Sequence, residues 1–549
     1  MPRRFSHLDR QQQVSDLRDT LYDVLVVGGG ITGAGIASDA AMRGLKTALV
    51  EKDDWGAGTS SKSSKLVHGG LRYLEQLEFG LVMESTAERA FLMKRVSHLV
   101  RPLPFTYPVY NTHKHSPWFI QMGMWLYDCL ALFRNHRNHK RLSPKQVAER
   151  EPLLKQSGLK AAMYYYDCIT DDARLTLENA MAAHNLGATV LSRMEVKSLA
   201  SQEDGTSLVT VWDAWEEQEV QVRARRVVNA AGPWTNQVLK AEQRPQTEVV
   251  RPTKGVHVVV PREILPVNSA VVVNSPRDGR IAFIIPWEES IAIGTTDTDY
   301  DGSLDDVRTT REDVEYLLEA IRTGFPEASC TEDAIISTWA GLRPLIKDDS
   351  DNPYNTSREH EIIEDKDGII TIAGGKLTTY RKMAEECVDK VIGSLGKLAQ
   401  PSKTSTRKLT LPGAENFQFR KDGEKTINNI VGTTEIPKVA AERLVTRYGA
   451  RWKAIMEGAN NHELLDPEGR VLKAEVSYAI EHEMVGGIED FMLRRTHLFY
   501  HLNDQGLHAG EWVVEQLQNA FGWSPERTQE ERDRYGELVS ANRSWKEGK

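Results

Sequence analysis

A glycine-rich turn between an apolar strand and an alanine-rich helix is the feature that most constrains the fold of this chain. Residues 24–27 (Val-Leu-Val-Val) predict a short buried strand, and Gly28, Gly30 and Gly33 follow it in the pattern G-x-G-x-x-G. In such a turn the first glycine permits the tight bend, the second lets the backbone approach a pyrophosphate, and the third lets the helix pack closely on the strand. Glu51 ends the next apolar run, where an acidic side chain can accept hydrogen bonds from a ribose hydroxyl. Together these features predict a dinucleotide-binding βαβ unit.

The segments around this unit favour a flavin dinucleotide over a nicotinamide one. Residues 56–70 are rich in serine, glycine and lysine, which suits an extended chain lying along a long cofactor. A flexible Ser/Gly linker is the alternative, although Leu66 and Val67 indicate packing. Residues 227–232 and 370–376 each predict a buried strand that ends in small residues, and the second precedes a helix whose N-terminus can hold an anion. We therefore expect FAD as the cofactor.

The predicted cofactor contacts come from these segments and from the chain near residue 196. They are Gly28, Gly30, Thr32, Gly33, Glu51, Thr59, Ser60, Ser61, Ser64, Lys65, Leu66, His68, Gly69, Gly70, Val196, Ala231, Gly232, Gly374, Gly375, Lys376, Leu377 and Thr378.

Length, charge and cysteine spacing exclude several other classes of protein. A chain of 549 residues is too long for one ordinary core and predicts two or three domains. The net charge of −9 argues against a general nucleic-acid binder. Cys129, Cys168, Cys330 and Cys387 show no C-x-x-C spacing, so we expect reduced thiols of a cytoplasmic protein and no metal site.

One aromatic segment, residues 117–133, leaves two interpretations open. Its Trp, Phe, Met and Leu side chains recur at helical spacing, and basic residues flank it on both sides. A helix buried in the core is the favoured interpretation. The alternative is an interfacial helix that lies on an anionic membrane, to which the flanking charges would be attracted. The chain has no apolar run of about 20 residues that would span a bilayer.

The order of predicted elements gives an α/β protein with an added helical region. A meander of short strands over residues 256–295 predicts an antiparallel sheet that covers the cofactor ring, and residues 76–150 predict mostly helix. We expect a catalytic region over residues 1–400 and a helical domain over 401–549. Within the catalytic region, the predicted FAD-binding parts are about 20–85, 190–245 and 345–395, and the predicted cap parts are about 86–189 and 246–344.

Several basic residues in short loop-like segments could hold an anionic substrate. Arg343 and Arg358 both precede the last predicted cofactor strand, and Lys376 directly follows the second glycine pair. An arginine supplies two parallel donors to a phosphate. For any single arginine, a solvated surface position is the alternative.

Three further residues are candidates for the chemistry itself. Arg72 and Tyr73 follow the end of the predicted cofactor-lining segment, and His257 lies on a strand of the predicted cap sheet. Histidine has an intrinsic pKa near neutrality, which suits a general base. A structural role is the alternative for a histidine within a strand.

The ordered set of motifs resembles the FAD-dependent glycerol-3-phosphate dehydrogenases from about residue 20 to residue 395, and more loosely beyond it. The segments that carry the resemblance are Asp23–Gly33, Ser60–Leu74, Asn229–Trp234, Gly294–Asp297, Ala340–Leu345, Ser357–His360 and Ala373–Arg381. The resemblance implies a discontinuous Rossmann-like FAD domain with an antiparallel cap, as in glycine oxidase and D-amino-acid oxidase, plus a C-terminal all-α domain. It also implies oxidation of sn-glycerol 3-phosphate to dihydroxyacetone phosphate.

For such a substrate we expect Arg343 and Arg358 to hold the phosphate, His257 to take the C2 hydroxyl proton, and Arg343 or Arg72 to stabilise the oxyanion. Tyr73 and Lys376 are further candidates for substrate contacts, and the alternative for Lys376 is a position beside the flavin ring. The oxygen-reducing members carry an insertion that is not evident here, which favours a membrane quinone as the electron acceptor. We expect a homodimer, associated peripherally with an anionic membrane on its cytoplasmic face. An oxygen-reducing oxidase, an amino-acid or amine oxidase of the same fold, and a non-enzymatic flavin protein are the alternatives.

Overall fold

Two β-sheets with helices packed against them organise the part of the chain that the computed structural model describes. The described residues are 4–75, 77–112, 115–241, 248–347, 359–366, 368–399, 401–402, 406–458 and 462–547. The strands, in chain order, are β1 (Leu21–Val27), β2 (Thr47–Val50), β3 (Leu66–Val67), β4 (Arg101–Tyr110), β5 (Lys140–Leu142), β6 (Leu159–Ile169), β7 (Thr189–Leu191), β8 (Met194–Ser201), β9 (Ser207–Asp213), β10 (Gln218–Asn229), β11 (Val250–Pro261), β12 (Ala270–Asn274), β13 (Ile281–Trp287), β14 (Ser290–Gly294), β15 (Thr298–Asp299), β16 (Ser337–Ile346), β17 (His360–Glu364) and β18 (Ile369–Gly374).

Helices connect and cover these strands. They are α1 (Arg10–Asp19), α2 (Ile31–Met42), α3 (Leu71–Glu75), α4 (Phe79–Arg95), α5 (Pro117–Leu130), α6 (Pro144–Arg150), α7 (Asp172–Asn185), α8 (Thr235–Lys240), α9 (Arg311–Gly324), α10 (Tyr380–Leu395), α11 (Glu424–Thr433), α12 (Lys438–Tyr448), α13 (Trp452–Glu457), α14 (Lys473–His482), α15 (Leu498–His501), α16 (Leu507–Phe521) and α17 (Pro525–Arg543). Two π-helical segments, Phe419–Gly423 and Asp490–Arg495, lie in the C-terminal part.

The first sheet, here the nucleotide sheet, has the strand order β17-β18-β10-β1-β2-β7, and β9 and β8 continue antiparallel from β10. Strands β18, β10, β1, β2 and β7 run parallel. The central strand β1 is buried on both faces, as its unbroken apolar run predicts. Because the central strands are parallel, their carboxyl ends lie at the same edge, where ligands bind in open α/β sheets.

The second sheet, here the cap sheet, has the order β15-β11-β14-β13-β12-β4-β6-β3, with β16 on β11 and β5 on β6. Its pairings are antiparallel except between β12 and β4. The meander predicted over residues 256–295 therefore forms part of this sheet. The predicted α/β class with an antiparallel cap is confirmed.

Helix α7 packs against the cofactor-binding layer. Its N-cap, Asp171, accepts a hydrogen bond from the Arg174 backbone N at 2.9 Å, as a capping aspartate does. The helix then packs its buried Leu177, Ala180 and Ala183 into the core that α2 forms with the nucleotide sheet. The last helix of the expected cap part 86–189 therefore packs against the cofactor-binding layer.

Strand β4 lies where the sequence predicted mostly helix. Its sequence, RPLPFTYPVY, contains three prolines, which argue against a strand because proline cannot donate to a β-ladder. Pro102, Pro104 and Pro108 are separated by even numbers of residues. Their positions without an N–H group therefore all face the same edge of the strand. The strand pairs along most of its length with β6, whereas its pairing with β12 is confined to Phe105 and Thr106. That arrangement tolerates the prolines.

Helix α5 corrects the favoured interpretation of the aromatic segment. The stripe that was expected to be buried is largely exposed: Trp118 is 66% accessible, Phe119 57%, Met122 54% and Trp125 49%. The opposite face of the helix is buried and carries Met124, Tyr127 and Asp128. The expectation of a core helix was wrong, because the pattern shows that one face is apolar but not which face meets the core.

The C-terminal helices, from α11 onward, are tied to the rest of the molecule by buried ion pairs. Asp54, just beyond β2, accepts hydrogen bonds from Arg494 and Arg495, and all three side chains are nearly inaccessible. Arg174 of α7 pairs with Glu483 in the same way. Among the described helices, none is long and apolar enough to cross a lipid bilayer.

Candidate active site

The predicted glycine turn lies at the carboxyl end of β1 and leads directly into α2. Gly28 has φ +107°, in the region that favours glycine, and a Cβ there would lie 2.7 Å from the Ala230 carbonyl oxygen. A Cβ on Gly33 would lie 1.9 Å from the Gly28 carbonyl oxygen, so this glycine is required for close packing of α2 on the turn. The Ser60 hydroxyl accepts a hydrogen bond from the Ile31 backbone N at 2.9 Å and joins the serine-rich segment to the start of the helix.

Glu51 follows β2 and is held by backbone donors. Its carboxylate accepts from Gly29 N at 2.5 Å and from Asp53 N at 2.9 Å. Desolvation, assisted by the charge of Asp53, raises the pKa of Glu51 to about 7. The carboxylate borders a cavity of about 420 Å³, which Thr32, Val196, Ala231 and Gly232 also line. Acceptor oxygens in such a cavity suit the hydroxyls of a ribose.

A second cavity, of about 310 Å³, continues from the first toward the cap sheet. The two cavities share lining residues, namely Ile31, Thr59, Ser60, Pro344, Gly374, Gly375, Lys376 and Leu377. They therefore form one elongated cleft whose middle lies between the N-terminus of α2 and the glycine pair after β18. The cleft fits a dinucleotide: a helix N-terminus meets the position of a pyrophosphate, and an acid lies at the ribose end.

His257 lies on β11 at the cap end of the cleft. Its Nε2 is 2.9 Å from Ser64 Oγ, and its ring stacks on Trp339 at a centroid distance of 4.7 Å. Burial, together with the charges of Arg343 and Lys65, holds the pKa of His257 well below its usual value. The imidazole is therefore neutral at pH 7 and can accept a proton.

Arg343, on β16, lies in register with the beginning of β11 and borders the same cavity. Its guanidinium donates to Asp297 Oδ1 at 3.0 Å and to Thr295 Oγ1 at 3.1 Å. A Cβ on Gly255 would lie 2.5 Å from this guanidinium, so the glycine makes room for it. The side chain is partly exposed to the cavity, where its positive charge can meet an anion.

Lys376 and Tyr73 meet on the opposite side of the cavity. The Lys376 ammonium lies 3.4 Å from the centroid of the Tyr73 ring. Gly70 leaves room for this ring, since a Cβ there would lie 2.1 Å from it. The two residues come from positions about 300 apart in the chain, so their contact depends on the tertiary fold.

The structure brings most of the predicted site residues to the cleft, but four lie behind its wall. Gly33 packs on the turn, and Gly69 lies against the Tyr127 side chain. Lys65 is buried and pairs with Asp172 at 2.7 Å, and the Ser61 carbonyl oxygen accepts from its ammonium. These are supporting positions. Arg358 lies outside the described residues. Arg72 belongs to α3, and the structure describes its backbone but not its side chain.

Sequence analysis assigned no role to two charged residues that border the cap cavity, Arg280 and Asp297. Arg280 donates to the Asp297 carbonyl oxygen, while the Asp297 carboxylate accepts from Arg343. Asp297 belongs to a segment that carried the family resemblance, which was the available signal. Arg280 follows a hairpin turn and carries no local signal.

Comparison with known proteins agrees with this geometry. A family model described as FAD dependent oxidoreductase matches residues 23–381, and one described as C-terminal domain of alpha-glycerophosphate oxidase matches residues 404–528. An aerobic glycerol-3-phosphate dehydrogenase of Staphylococcus aureus is 36% identical over 95% of this chain and 94% of its own length.

Solved structures show the same architecture. The glycerol-3-phosphate dehydrogenase of Bacillus halodurans, complexed with FAD, has a TM-score of 0.80 and 32% identity, and the match covers 98% of both chains. L-alpha-glycerophosphate oxidase of Mycoplasma pneumoniae, with FAD bound, has a TM-score of 0.55 and 19% identity. That match covers 99% of the oxidase chain but 72% of this chain, so the likeness in fold extends over about three quarters of this chain.

Proposed function

This chain belongs to the family of FAD-dependent glycerol-3-phosphate dehydrogenases, and from that premise we propose that it oxidises sn-glycerol 3-phosphate to dihydroxyacetone phosphate and passes the electrons to a membrane quinone. The observation that carries the proposal is the convergence of Arg343, His257 and Lys376 on the cavity at the cap end of the cofactor cleft. A cationic cavity that contains the neutral imidazole of His257 suits an anionic alcohol substrate.

The cationic side chains would position the substrate. Arg343 would donate to a phosphate dianion from the wall where it now contacts Asp297 and Thr295. Arg280, adjacent through Asp297, adds a second guanidinium to the same wall. A role for Arg358 in the phosphate clamp, and for Arg72 at the reacting carbon, remains a prediction from the sequence.

His257 would take the proton of the C2 hydroxyl. Its Nε2 lies 2.9 Å from the Ser64 hydroxyl, which also lines the cavity, so the C2 hydroxyl must replace that partner before the nitrogen accepts the proton. Loss of the hydroxyl proton builds negative charge on the oxygen and favours departure of the C2 hydride, for which FAD, when bound, would supply the two-electron acceptor. A guanidinium of the same wall stabilises the developing oxyanion.

The acceptor proposal is supported by an apolar surface close to the cleft. This apolar surface consists of the exposed side chains Leu77, Phe79, Met83, Trp118, Phe119, Met122, Trp125, Leu126, Leu132 and Phe133. It belongs to α4, α5 and their flanks, and α3, which packs against both helices, also contributes Leu71 and Tyr73 to the cavity lining. Exposed apolar area of this kind marks an interaction site.

We propose that the occupant of the apolar surface is an anionic bilayer. Arg134, Arg137, Lys140 and Arg141 follow α5 directly and are exposed, which matches the negative charge of a lipid surface. An amphipathic helix with aromatic side chains on one face is typical of interfacial binding. The protein would then lie peripherally on the cytoplasmic face of the membrane, where a quinone is available, and we also propose that it is a homodimer.

Anaerobic titration with sn-glycerol 3-phosphate tests the oxidation step. We expect stoichiometric bleaching of the flavin absorption in FAD-loaded protein and formation of dihydroxyacetone phosphate. Glycerol, which lacks the phosphate, and sarcosine, an amine substrate, are the controls and should leave the flavin oxidised. Bleaching by sarcosine alone would replace this proposal with an amine oxidase. Reoxidation by a quinone analogue under nitrogen, compared with reoxidation by oxygen, then identifies the acceptor.

A further inference from the structure

A buried carboxylate, Asp167, receives one polar side chain from each of the two helices that carry the apolar surface. Arg89 of α4 donates to Asp167 Oδ1, and the Tyr127 hydroxyl of α5 lies 3.0 Å from the same oxygen. Arg89 Nη1 also lies 2.9 Å from the Tyr127 hydroxyl. All three side chains are nearly inaccessible. The arrangement is therefore a closed hydrogen-bonded cluster and not a solvated surface pair.

The same carboxylate reaches the cofactor cleft. Asp167 borders the cap cavity, and its Oδ1 accepts a hydrogen bond from Gly69 N at 3.1 Å. Gly69 lies between His68 and Gly70, which both line that cavity. A Cβ on Gly69 would lie 2.2 Å from the Tyr127 hydroxyl oxygen, so the tip of this side chain is in direct contact with the cofactor-lining segment.

Each helix presents opposite faces to the two environments. Tyr127 is fully buried, whereas Trp125 and Leu126, its neighbours on α5, are 49% and 42% accessible. Arg89 is likewise buried on α4, which begins with the exposed Phe79 and Met83. Beyond Asp167, Arg89 donates to Asn135, and Asn135 Nδ2 lies 2.5 Å from Asp128 Oδ1 on α5. A displacement of α5 must therefore move atoms in contact with the cofactor-lining segment.

We propose that Asp167, held by Arg89 and Tyr127, couples occupation of the apolar surface to the geometry of the flavin site. The inference rests on the proposed membrane docking and adds to it a positioning role for three buried residues. Docking of α4 and α5 on a bilayer fixes the two donors, and the shared carboxylate transmits their positions to the Gly69 backbone. Coupling between two sites is reciprocal. If bilayer binding shifts the redox equilibrium of the flavin by some factor, the redox state of the flavin must alter the affinity for the bilayer by that factor.

The test is a vesicle titration of the full-length, FAD-loaded protein. Vesicles of phosphatidylglycerol and phosphatidylcholine are added while the bound fraction is measured by flotation, and the flavin absorption band and turnover with a water-soluble dye are recorded. We expect the wild type to respond to vesicle binding by a band shift and by a change in turnover. Oxidised and reduced protein should differ in vesicle affinity by about fivefold or more, the usual lower range of coupling between two binding sites.

Tyr127→Phe removes one donor and preserves the ring, so it should bind vesicles as the wild type does but lose the spectral and kinetic response. Asp167→Asn is the second variant, should Tyr127→Phe fail to load FAD. Tyr110→Phe is the matched control: it removes a tyrosine hydroxyl that donates to the Lys155 carbonyl oxygen, outside the cluster, and should respond as the wild type.

Three results would overturn the inference. They are vesicle binding by the wild type without any flavin response, a full response in both cluster variants, and no vesicle binding at all. The last result would also reject membrane docking on the apolar surface. Flavin reduction by glycerol 3-phosphate in solution is measured separately, so failure of the coupling and failure of the proposed oxidation remain distinguishable.

Discussion

At the scale of single residues, the position of His257 links local sequence to chemistry. Its ring is fixed by stacking on Trp339 and by the Ser64 hydroxyl, and burial keeps it neutral. A fixed, neutral imidazole is oriented for proton transfer once a substrate hydroxyl replaces the Ser64 hydroxyl as its partner. The local sequence identifies this histidine and places it on a strand. It does not identify its partner, because Ser64 lies 193 positions away in the chain.

Replacement of His257 by alanine should slow flavin reduction. We expect the anaerobic single-turnover rate with glycerol 3-phosphate to fall by roughly 10²–10⁴-fold, the usual contribution of a general base. His482→Ala, at a partly exposed histidine of α14 far along the chain from the cavity-lining residues, is the control and should leave the rate unchanged. A near-normal rate in His257→Ala would assign proton removal to another group or to solvent.

Glu51 predicts a pH dependence of stability for the FAD-free protein. Its pKa, raised to about 7, lies above its unfolded value of about 4.5, so its contribution is fully present below pH 4.5 and is lost as the pH rises through 7. Since one pKa unit corresponds to about 1.4 kcal/mol, the shift limits the loss to about 3 kcal/mol. Urea unfolding of the FAD-free protein between pH 5 and 8 should show this decline, and Glu51→Gln should flatten it. An equal decline in the variant would show that other groups cause it.

At the scale of elements, the predictions from sequence were best where the signal was local. The glycine turn and the buried parallel strands lie where they were expected, because each depends on a few adjacent residues. Strand β4 was missed, since its prolines are tolerated only by its particular pairing with β6 and β12. Helix α5 was found, but its apolar face was assigned to the wrong side.

The exposed face of α5 gives a prediction at this scale. Trp125→Glu places a charge within the apolar surface and should lower the affinity for phosphatidylglycerol vesicles by about tenfold or more, since burial of a large side chain contributes about 1.5–3 kcal/mol. Leu186→Glu is the matched control, an exposed apolar side chain after α7 that lies outside the apolar surface. Equal vesicle binding by both variants and the wild type would exclude α5 as the contact.

At the scale of the whole molecule, buried ion pairs join the C-terminal helices to the cofactor-binding layer. Asp54 follows the Glu51 segment and neutralises Arg494 and Arg495, while Arg193 pairs with Asp490 at 2.7 Å. The C-terminal helices thereby support the segment that carries the ribose-binding acid.

Removal of the Asp54 charge should destabilise this junction. Asp54→Asn leaves two buried guanidinium groups with one counter-charge fewer, and we expect a loss of about 3–5 kcal/mol in the free energy of unfolding, measured by urea denaturation. Asp306→Asn is the control: it removes an exposed partner of Arg308 and should change stability by less than about 1 kcal/mol. A loss in Asp54→Asn no larger than the control would show that the pair contributes little.

The sequence by itself determined the cofactor turn, the fold class and the residue types of the site, because those depend on backbone conformation and periodicity within short segments. Only the tertiary structure decided that Arg280 and Asp297 join Arg343, that Lys65 and Ser61 turn away from the cleft, and that α5 faces outward. These outcomes depend on strand register and on helix packing between distant segments. Such contacts depend on how apolar and charged side chains from all parts of the chain are buried together, and a short sequence pattern does not contain that information.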